Sequence, residues 1–244
     1  MIVDSHLGRS RDYGRVGQGW RALDQIGQPA PYRPSFQFDG SAINSAHGEI
    51  LHAPLGRLGI AINIDLGIDG YLQRGDALKL YELAFFSQGD ALELGTHKGL
   101  SASIIAQALD DRGSGSLETV DIDRAANKLA RANVGGKPGA HRVTFTLKDA
   151  AKRMDELVAK GRRFGFIFID HWHGYEATFE AARRCADLLA PGGFVQFHDF
   201  LDPGNADPEH IYGVYQAVLD TICTDERFAF DGLAGCTAVF RLAA

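Results

Sequence analysis

The sequence predicts an α/β fold, a doubly wound and mostly parallel sheet of seven strands that ends in a β-hairpin. Three observations lead to this prediction. Beyond residue 74, short apolar runs alternate with helical patterns, which is typical of a parallel sheet with helices on both faces. Two apolar runs follow each other closely at the end of the chain, which favours a hairpin. A pair of glycines joins the first apolar run of the series to a helical pattern, as in a tight strand-to-helix turn.

The individual elements are predicted from their periodicity. Helices are expected where apolar residues recur every three or four positions, over residues 76–87, 99–109, 124–132, 150–159, 175–189 and 211–224. Strands are expected over the short apolar runs 91–94, 117–122, 143–147, 164–169, 194–197, 227–230 and 237–242. Asp76 is the expected N-cap of the first helix, and residues 231–235, D-G-L-A-G, are the expected hairpin loop. Ligands of such a sheet bind off the carboxyl ends of its strands.

Residues 1–74 form a separate segment that is rich in glycine and proline, so long helices are not expected there. Strands are predicted at 36–38 and 57–64. We expect an irregular extension that covers the site or contacts another subunit, with irregular packing around the main domain as an equal alternative. Residues 75–244 form the predicted main domain.

Composition excludes several classes of protein. The net charge is −6, from 25 Lys and Arg against 31 Asp and Glu, and no basic tract marks a surface for nucleic acid or an anionic membrane. No apolar run has the length of a membrane span or the form of a signal peptide, so we expect a cytoplasmic protein. The three cysteines are scattered and are expected to be reduced and buried.

The glycine turn is the first candidate site. Residues 93–101 read E-L-G-T-H-K-G-L-S, with Gly95 and Gly99 four apart. Such a turn places the N–H groups and partial positive charge of a helix N-terminus at a strand end, and we expect the glycines to let a ligand approach the backbone. Glu93 suits a ligand with a cationic group beside an anionic one, such as an amino acid moiety. The glycine spacing fits neither the dinucleotide loop nor the phosphate loop.

Acidic residues follow the next two strands. Asp121 lies a little over twenty residues beyond the turn, where a carboxylate can accept hydrogen bonds from ribose hydroxyls. Asp123 better fits the N-cap of the following helix. For Asp149, acceptance from an exocyclic amine and N-capping are equally good interpretations.

The fourth and fifth strands end in acids and histidines. Asp170 is followed by His171, Trp172 and His173, and His198 precedes Asp199. Since adjacent strands are about 4.8 Å apart, Asp170 and Asp199 can share one cation. Two carboxylates suit a hard divalent metal, and a nearby imidazole widens the choice to transition ions. Alternatively, the acids cap loops and the histidines orient them.

These motifs resemble those of class I S-adenosylmethionine-dependent methyltransferases, in particular the catechol O-methyltransferase-like and bacterial small-molecule O-methyltransferase groups. The resemblance covers about residues 70–244. The segment E-L-G-T-H-K-G-L-S resembles the family's E-L-G-x-x-x-G-x-S, and I-D-H-W-H resembles its L-D-H-W-K. The resemblance implies a Rossmann-like methyltransferase fold. It also implies S-adenosylmethionine as cofactor and a divalent metal, Mg²⁺ or Mn²⁺.

The resemblance assigns roles to individual residues. It implies that the cofactor contacts Glu93, Gly95, Thr96, His97, Gly99, Ser101, Asp121, Ile122, Asp149, Ala150, Asp170 and Trp172. It makes Asp170 a metal ligand and a catalytic residue, with Asp199 as a further ligand.

Two positions depart from the catechol enzymes. His173 stands where that family has a catalytic lysine; a neutral imidazole can take a hydroxyl proton near neutral pH, so we expect His173 to be the base without a large pKa shift. Phe200 stands where the family has asparagine and cannot bind a metal. His198 is therefore the candidate third ligand, since H-D at this place resembles bacterial members of the wider group.

We therefore expect methyl transfer to a hydroxyl of a small molecule, such as a phenol or catechol, a sugar or a natural product. The expected partners are this substrate and a second copy in a homodimer, without nucleic acid or membrane. Two alternatives stay open. One is a non-catalytic S-adenosylmethionine-binding sensor or structural subunit. The other is a metal-dependent hydrolase or oxygenase, which would leave Glu93, Asp121 and the glycine turn unexplained.

Overall fold

A computed structural model of the protein describes residues 67–243, and also the backbone of residues 50–55 and 60–65. The two short segments are β1 (Ile50–Leu55) and β2 (Ile60–Asp65), which pair as an antiparallel ladder. Strand β2 overlaps the strand predicted at 57–64. The strand predicted at 36–38 lies outside the described residues.

The main sheet contains seven strands. They are β3 (Ala91–Leu94), β4 (Leu117–Asp121), β5 (Val143–Leu147), β6 (Phe164–Ile169), β7 (Leu189–Phe197), β8 (Phe228–Ala234) and β9 (Thr237–Leu242). The helices are α1 (Arg74–Phe86), α2 (Leu100–Arg112), α3 (Arg124–Val134), α4 (Ala150–Ala159), α5 (Tyr175–Ala182), α6 (Cys185–Leu188) and α7 (Val214–Asp220). Short 3₁₀ turns cover Ala140–Arg142, Pro203–Ala206 and Ile222–Thr224.

The strand order of this sheet is β5-β4-β3-β6-β7-β9-β8. The first five strands in that order are parallel, and β9 runs antiparallel to both β7 and β8. The predicted fold, a mostly parallel doubly wound sheet with a C-terminal hairpin, is therefore confirmed. The chain adds β4 and β5 on one side of β3 and then β6 and β7 on the other side. Such a switch point opens a crevice beyond the carboxyl ends of the strands.

Both faces of the sheet are covered. Every residue of β3 and β6 is buried, as expected for central parallel strands. Phe166 and Phe168 pack into one apolar cluster with α1 and α2, whereas Ile167 and Ile169 pack into a second cluster with the helices of the other face. Successive side chains of β6 therefore point to opposite faces of the sheet, so this strand contributes to both apolar cores.

The first turn of α1 differs from the prediction. Gln73, not Asp76, is the N-cap, and Asp76 is the third helical residue of a capping box. The Asp76 carboxylate accepts a hydrogen bond from the Gln73 N–H (2.7 Å) and another from the N–H of Cys236 (2.9 Å). Asp76 is fully buried, so it ties the start of α1 to the turn between β8 and β9.

Three predicted boundaries on the β7 side of the sheet were wrong. The helix predicted over 175–189 is divided into α5 and α6 at Arg184, whose guanidinium reaches Asp155 of α4 (2.6 Å). Strand β7 begins at Leu189, because the residues around Gly192 (φ +75°) form a bulge in its pairing with β6. Helix α7 is shorter than predicted, since Gly213 is its N-cap and donates its N–H to the His173 carbonyl (2.9 Å).

The C-terminal hairpin also extends further than predicted. Most of the D-G-L-A-G segment belongs to β8, with a register shift between Phe230 and Gly232. The three cysteines are free and buried, as expected. In the part of the chain that the structure describes, no helix has the length and apolarity needed to span a membrane.

Candidate active site

A cavity of about 1000 Å³ opens beyond the carboxyl ends of β3, β4, β6 and β7. Its floor contains the glycine turn after β3, and residues 70–73, which precede α1, form part of its wall. Three large apolar side chains in the wall are mostly exposed, namely Tyr71, Ile122 and Trp172, at 76%, 72% and 64%. Exposed apolar groups around a concave site suit a partly apolar ligand.

The glycines of the turn are required by packing. Gly95 and Gly99 have φ of +98° and +91°, a region that side chains rarely adopt. A Cβ on Gly95 would lie 2.1 Å from the carbonyl oxygen of Asp170, and a Cβ on Gly99 would lie 2.8 Å from Val134. These glycines therefore let the turn pack against the residue after β6 and against α3, and their role in ligand approach stays a prediction.

Asp121 fixes the conformation of the same turn. One carboxylate oxygen accepts hydrogen bonds from the backbone N–H groups of Thr96 (3.0 Å) and His97 (2.8 Å). The other oxygen accepts a hydrogen bond from the backbone N–H of Asp123 (2.8 Å). His97 adopts a left-handed conformation (φ +44°), which these hydrogen bonds hold in place. Asp121 thus orients the cavity floor, and a role toward ribose stays a prediction.

Four side chains converge where β6 and β7 end. His198 Nδ1 lies 3.1 Å from Asp170 Oδ1 and 3.2 Å from Asp199 Oδ1. His173 Nε2 lies 2.9 Å from Asp199 Oδ2 and 3.6 Å from Asp170 Oδ1. The structure therefore brings together the acids and histidines that the strand ends predicted. Asp170, His173 and Asp199 face the cavity with donor atoms within 4.8 Å of one another, so they can hold a metal ion.

Comparison with known proteins finds a family model that matches this region. Residues 92–200 match the model of a family described as "Methyltransferase domain". This part of the chain is similar to methyltransferase domains. The resemblance predicted from its motifs is therefore confirmed.

Curated relatives and a solved structure are also similar to this chain. A caffeoyl-CoA O-methyltransferase of Stellaria longipes is 28% identical over 113 residues, 45% of each chain. Catechol O-methyltransferase domain-containing protein 1 of Mus musculus is 31% identical over 105 residues, 43% of this chain and 39% of that one. The match thus spans less than half the length of these two relatives. The O-methyltransferase TomG from Streptomyces achromogenes, solved with S-adenosylmethionine, has a TM-score of 0.61 at 21% identity, covering 72% of this chain and 83% of that one. This likeness shows the fold.

Electrostatics at the ends of β6 and β7 favour charged acids and protonated imidazoles. Burial alone would raise the pKa of Asp170 and Asp199, but His198 and His173 hold both below their ordinary value. Burial opposes protonation of His173, yet hydrogen bonds to Asp170 and Asp199 raise its pKa to about 9. The expectation that His173 needs no large shift is wrong here, since at neutral pH it carries a proton.

His198 has a second set of neighbours behind the site. Its Nε2 lies 3.4 Å from Asp76 Oδ2 and 3.4 Å from Cys236 Sγ. The sequence analysis missed both residues, because it assigned Asp76 to a helix cap and Cys236 to the core. They are 160 positions apart, and no local pattern could have placed them beside His198.

Glu93 lies behind the wall of the cavity and does not line it. It is fully buried, and its Oε2 accepts a hydrogen bond from the Thr119 hydroxyl (2.5 Å). Within the described residues, Glu93 Oε1 has no hydrogen-bond partner. Burial raises its pKa to about 8, although the hydroxyls of Ser101 and Thr119 oppose this shift. Ser101 lines the cavity, so Glu93 can reach a ligand through this neighbour.

The acids that follow β4 and β5 both cap helices. Asp123 caps α3 as expected, accepting from Ala125 N–H (2.6 Å) and Ala126 N–H. Asp149 caps α4 through the Lys152 N–H (3.0 Å) and also lines the cavity with Ala150. Of the two interpretations of Asp149, N-capping is confirmed. Acceptance of a hydrogen bond from an exocyclic amine stays a prediction.

Two aromatic residues define the side of the site beyond β7. Phe200 is buried against Tyr215 (4.9 Å between ring centroids), so it contributes no ligand. Tyr212 lines the cavity and stacks on His173, with ring centroids 4.8 Å apart and an interplanar angle of 7°. The sequence analysis did not single out Tyr212, because its role depends on the loop conformation between β7 and α7.

Proposed function

We propose that the protein is an S-adenosylmethionine-dependent O-methyltransferase that methylates a hydroxyl group of a small molecule, with a divalent metal at the ends of β6 and β7. The observation that carries the proposal is the convergence of Asp170, His173, His198 and Asp199 on one cavity with the glycine turn. The O-methyltransferase names of the relatives and the S-adenosylmethionine in the TomG structure support the reaction class.

The cavity suits S-adenosylmethionine in three respects. The exposed faces of Ile122 and Trp172 offer apolar surface for adenine. Asp121 presents a carboxylate in the wall for the ribose hydroxyls. Helix α2 begins at the cavity without a side-chain cap, so its first N–H groups can bind the carboxylate of the methionine portion. When bound, the cofactor supplies an electrophilic methyl group on its sulfonium.

The acids and histidines suit a divalent metal. Asp170, Asp199 and His198 would hold it, with two carboxylate donors and one imidazole donor. When bound, such a metal lowers the pKa of a coordinated hydroxyl and fixes its direction. The positive charge also opposes protonation of His173 and His198, whose pKa values the neighbouring carboxylates raise.

The remaining contributions come from the chain itself. Asp121 and the glycine turn fix the donor side of the cavity, and the acids of β6 and β7 fix the acceptor side. Alignment of two reactants in this way supplies several kcal/mol of rate acceleration. His173 lines the cavity, stacked on Tyr212, and would accept the proton of the acceptor hydroxyl.

Two alanine variants test the proposal. Asp170→Ala should abolish methyl transfer, measured with labelled S-adenosylmethionine against phenolic, catecholic and sugar acceptors, while cofactor binding partly survives. Asp121→Ala should weaken cofactor binding first, by about tenfold or more, because the turn loses hydrogen bonds to a charged group. Asp187→Ala, on the exposed side of α6, is the matched control.

Two results would count against catalysis. Full activity and full cofactor affinity in both variants would contradict the site. Tight cofactor binding without transfer to any acceptor, with or without added Mg²⁺ or Mn²⁺, would instead favour the non-catalytic binding module.

A further inference from the structure

The imidazole of His198 lies between two groups of side chains. It is 4% exposed. Nδ1 faces Asp170 and Asp199, whereas Nε2 faces Asp76 and Cys236. Within the described residues, Nδ1 forms no well-directed hydrogen bond, although two carboxylate oxygens lie at 3.1 and 3.2 Å. Donor atoms that share one cation at ~2.1 Å lie about 3 Å apart, so this orphaned nitrogen and its neighbours are spaced as ligands of a common ion.

Asp76 fixes the orientation of this imidazole. Its carboxylate is itself held by the N–H groups of Gln73 and Cys236 (2.7 and 2.9 Å) and is fully buried. The Asp76 oxygen 3.4 Å from His198 Nε2 favours the tautomer with its proton on Nε2. The lone pair of Nδ1 then faces Asp170 and Asp199. A carboxylate behind a histidine ligand is a common way to orient that ligand and raise its basicity.

Resting on the proposed function, we propose that His198, positioned by Asp76, makes this site select a first-row transition ion such as Mn²⁺ or Co²⁺ over Mg²⁺. Mg²⁺ prefers oxygen donors, whereas imidazole nitrogen suits transition ions. Phe200 is buried and offers no oxygen. The nitrogen of His198 is then the third protein donor beside the carboxylates of Asp170 and Asp199.

The direct test is a metal titration that needs neither cofactor nor acceptor. Metal-free protein is titrated separately with MnCl₂, CoCl₂ and MgCl₂ by calorimetry, and the Co²⁺ sample is followed by its visible spectrum. We expect Co²⁺ and Mn²⁺ to bind at least about 100-fold more tightly than Mg²⁺, with a Co²⁺ spectrum that His198→Asn changes. Equal affinity for Mg²⁺ and Mn²⁺ in the unaltered protein would overturn the proposal.

Two variants separate ligation from positioning. His198→Asn replaces nitrogen by an amide oxygen and should lower the Co²⁺ to Mg²⁺ affinity ratio by about tenfold or more. Asp76→Asn should weaken Co²⁺ binding by about 10–100-fold and lower the same ratio, whereas a general loss of structure would weaken both ions alike. An unchanged ratio in both variants would contradict the proposal. His141→Asn, at an exposed histidine of a 3₁₀ turn, is the control for surface binding.

The same samples are titrated with S-adenosylmethionine to keep the two proposals apart. If the cofactor binds and the ion preference is absent, the selectivity fails and the proposed function stands. If the ion preference is present and the cofactor does not bind, the methyltransferase function fails while the ion site stands.

Discussion

At the scale of single residues, the buried carboxyl group of Glu93 makes the stability of the fold depend on pH. It lies under the cavity wall with one oxygen bonded to Thr119, and burial raises its pKa to about 8. The folded protein therefore keeps a proton that the unfolded chain releases above about pH 4.5. Because the folded state binds more protons between these values, Glu93 lowers the free energy of unfolding as pH rises from 4.5 to 8.

Glu93→Gln should remove this dependence, because a neutral amide of similar shape has no proton to lose. The variant should match the unaltered protein near pH 4.5 and exceed its free energy of unfolding by about 2–4 kcal/mol at pH 8. Urea denaturation across this pH range measures the difference. A difference that stays constant with pH would contradict the account, and Glu226→Gln, an exposed acid, should show no such trend.

The residues of the site differ in how far the sequence could predict them. Asp170 and Asp199 were predictable because each follows a buried parallel strand, and parallel strands end at one edge. Asp76 and Cys236 were not, since their contact with His198 depends on docking the start of α1 against the hairpin. The raised pKa of His173 could not be predicted from the sequence either, because it depends on two carboxylates at the ends of neighbouring strands.

At the scale of elements, the strand-to-helix turn after β3 depends on close contact with β6. Gly95 lies so near the Asp170 carbonyl that a methyl group would overlap it. This contact also joins the glycine turn to the acid that follows β6. The turn is therefore a rigid part of the sheet edge.

Gly95→Ala tests this rigidity. We expect a loss of about 2–4 kcal/mol in the free energy of unfolding, from positive-φ strain and overlap together. Gly89→Ala is the matched control: Gly89 has a similar φ of +85° but nothing within 4 Å of a Cβ, so only about 1 kcal/mol is expected. Chemical denaturation measures both, and equal losses would show that the contact with Asp170 has no energetic role.

Element boundaries were the weakest part of the sequence prediction. The 194–197 prediction found the regular part of β7 but missed its start at Leu189, since P-G-G reads as a turn and here forms a bulge. The helix predicted over 211–224 contained Gly213, which the structure uses to bind the His173 carbonyl and begin α7. In each case a tertiary contact decided where the element begins.

At the scale of the whole molecule, the order of the strands accounts for the position of the site. The reversal at β3 opens the crevice in which the glycine turn, Asp121 and the four acids and histidines meet. The alternation of strands and helices was sufficient to predict this architecture from the sequence. The segment before residue 74 had no comparable periodicity, and its predicted roles as a cover or a subunit contact stay predictions.

The measurement that tests the central claim most directly is a calorimetric titration of the purified protein with S-adenosylmethionine and S-adenosylhomocysteine, in Mn²⁺ and in EDTA. The account predicts binding with Kd in the micromolar range, about −8 kcal/mol, that Asp121→Ala weakens and Asp187→Ala does not. Absence of binding by either compound in both conditions would contradict it.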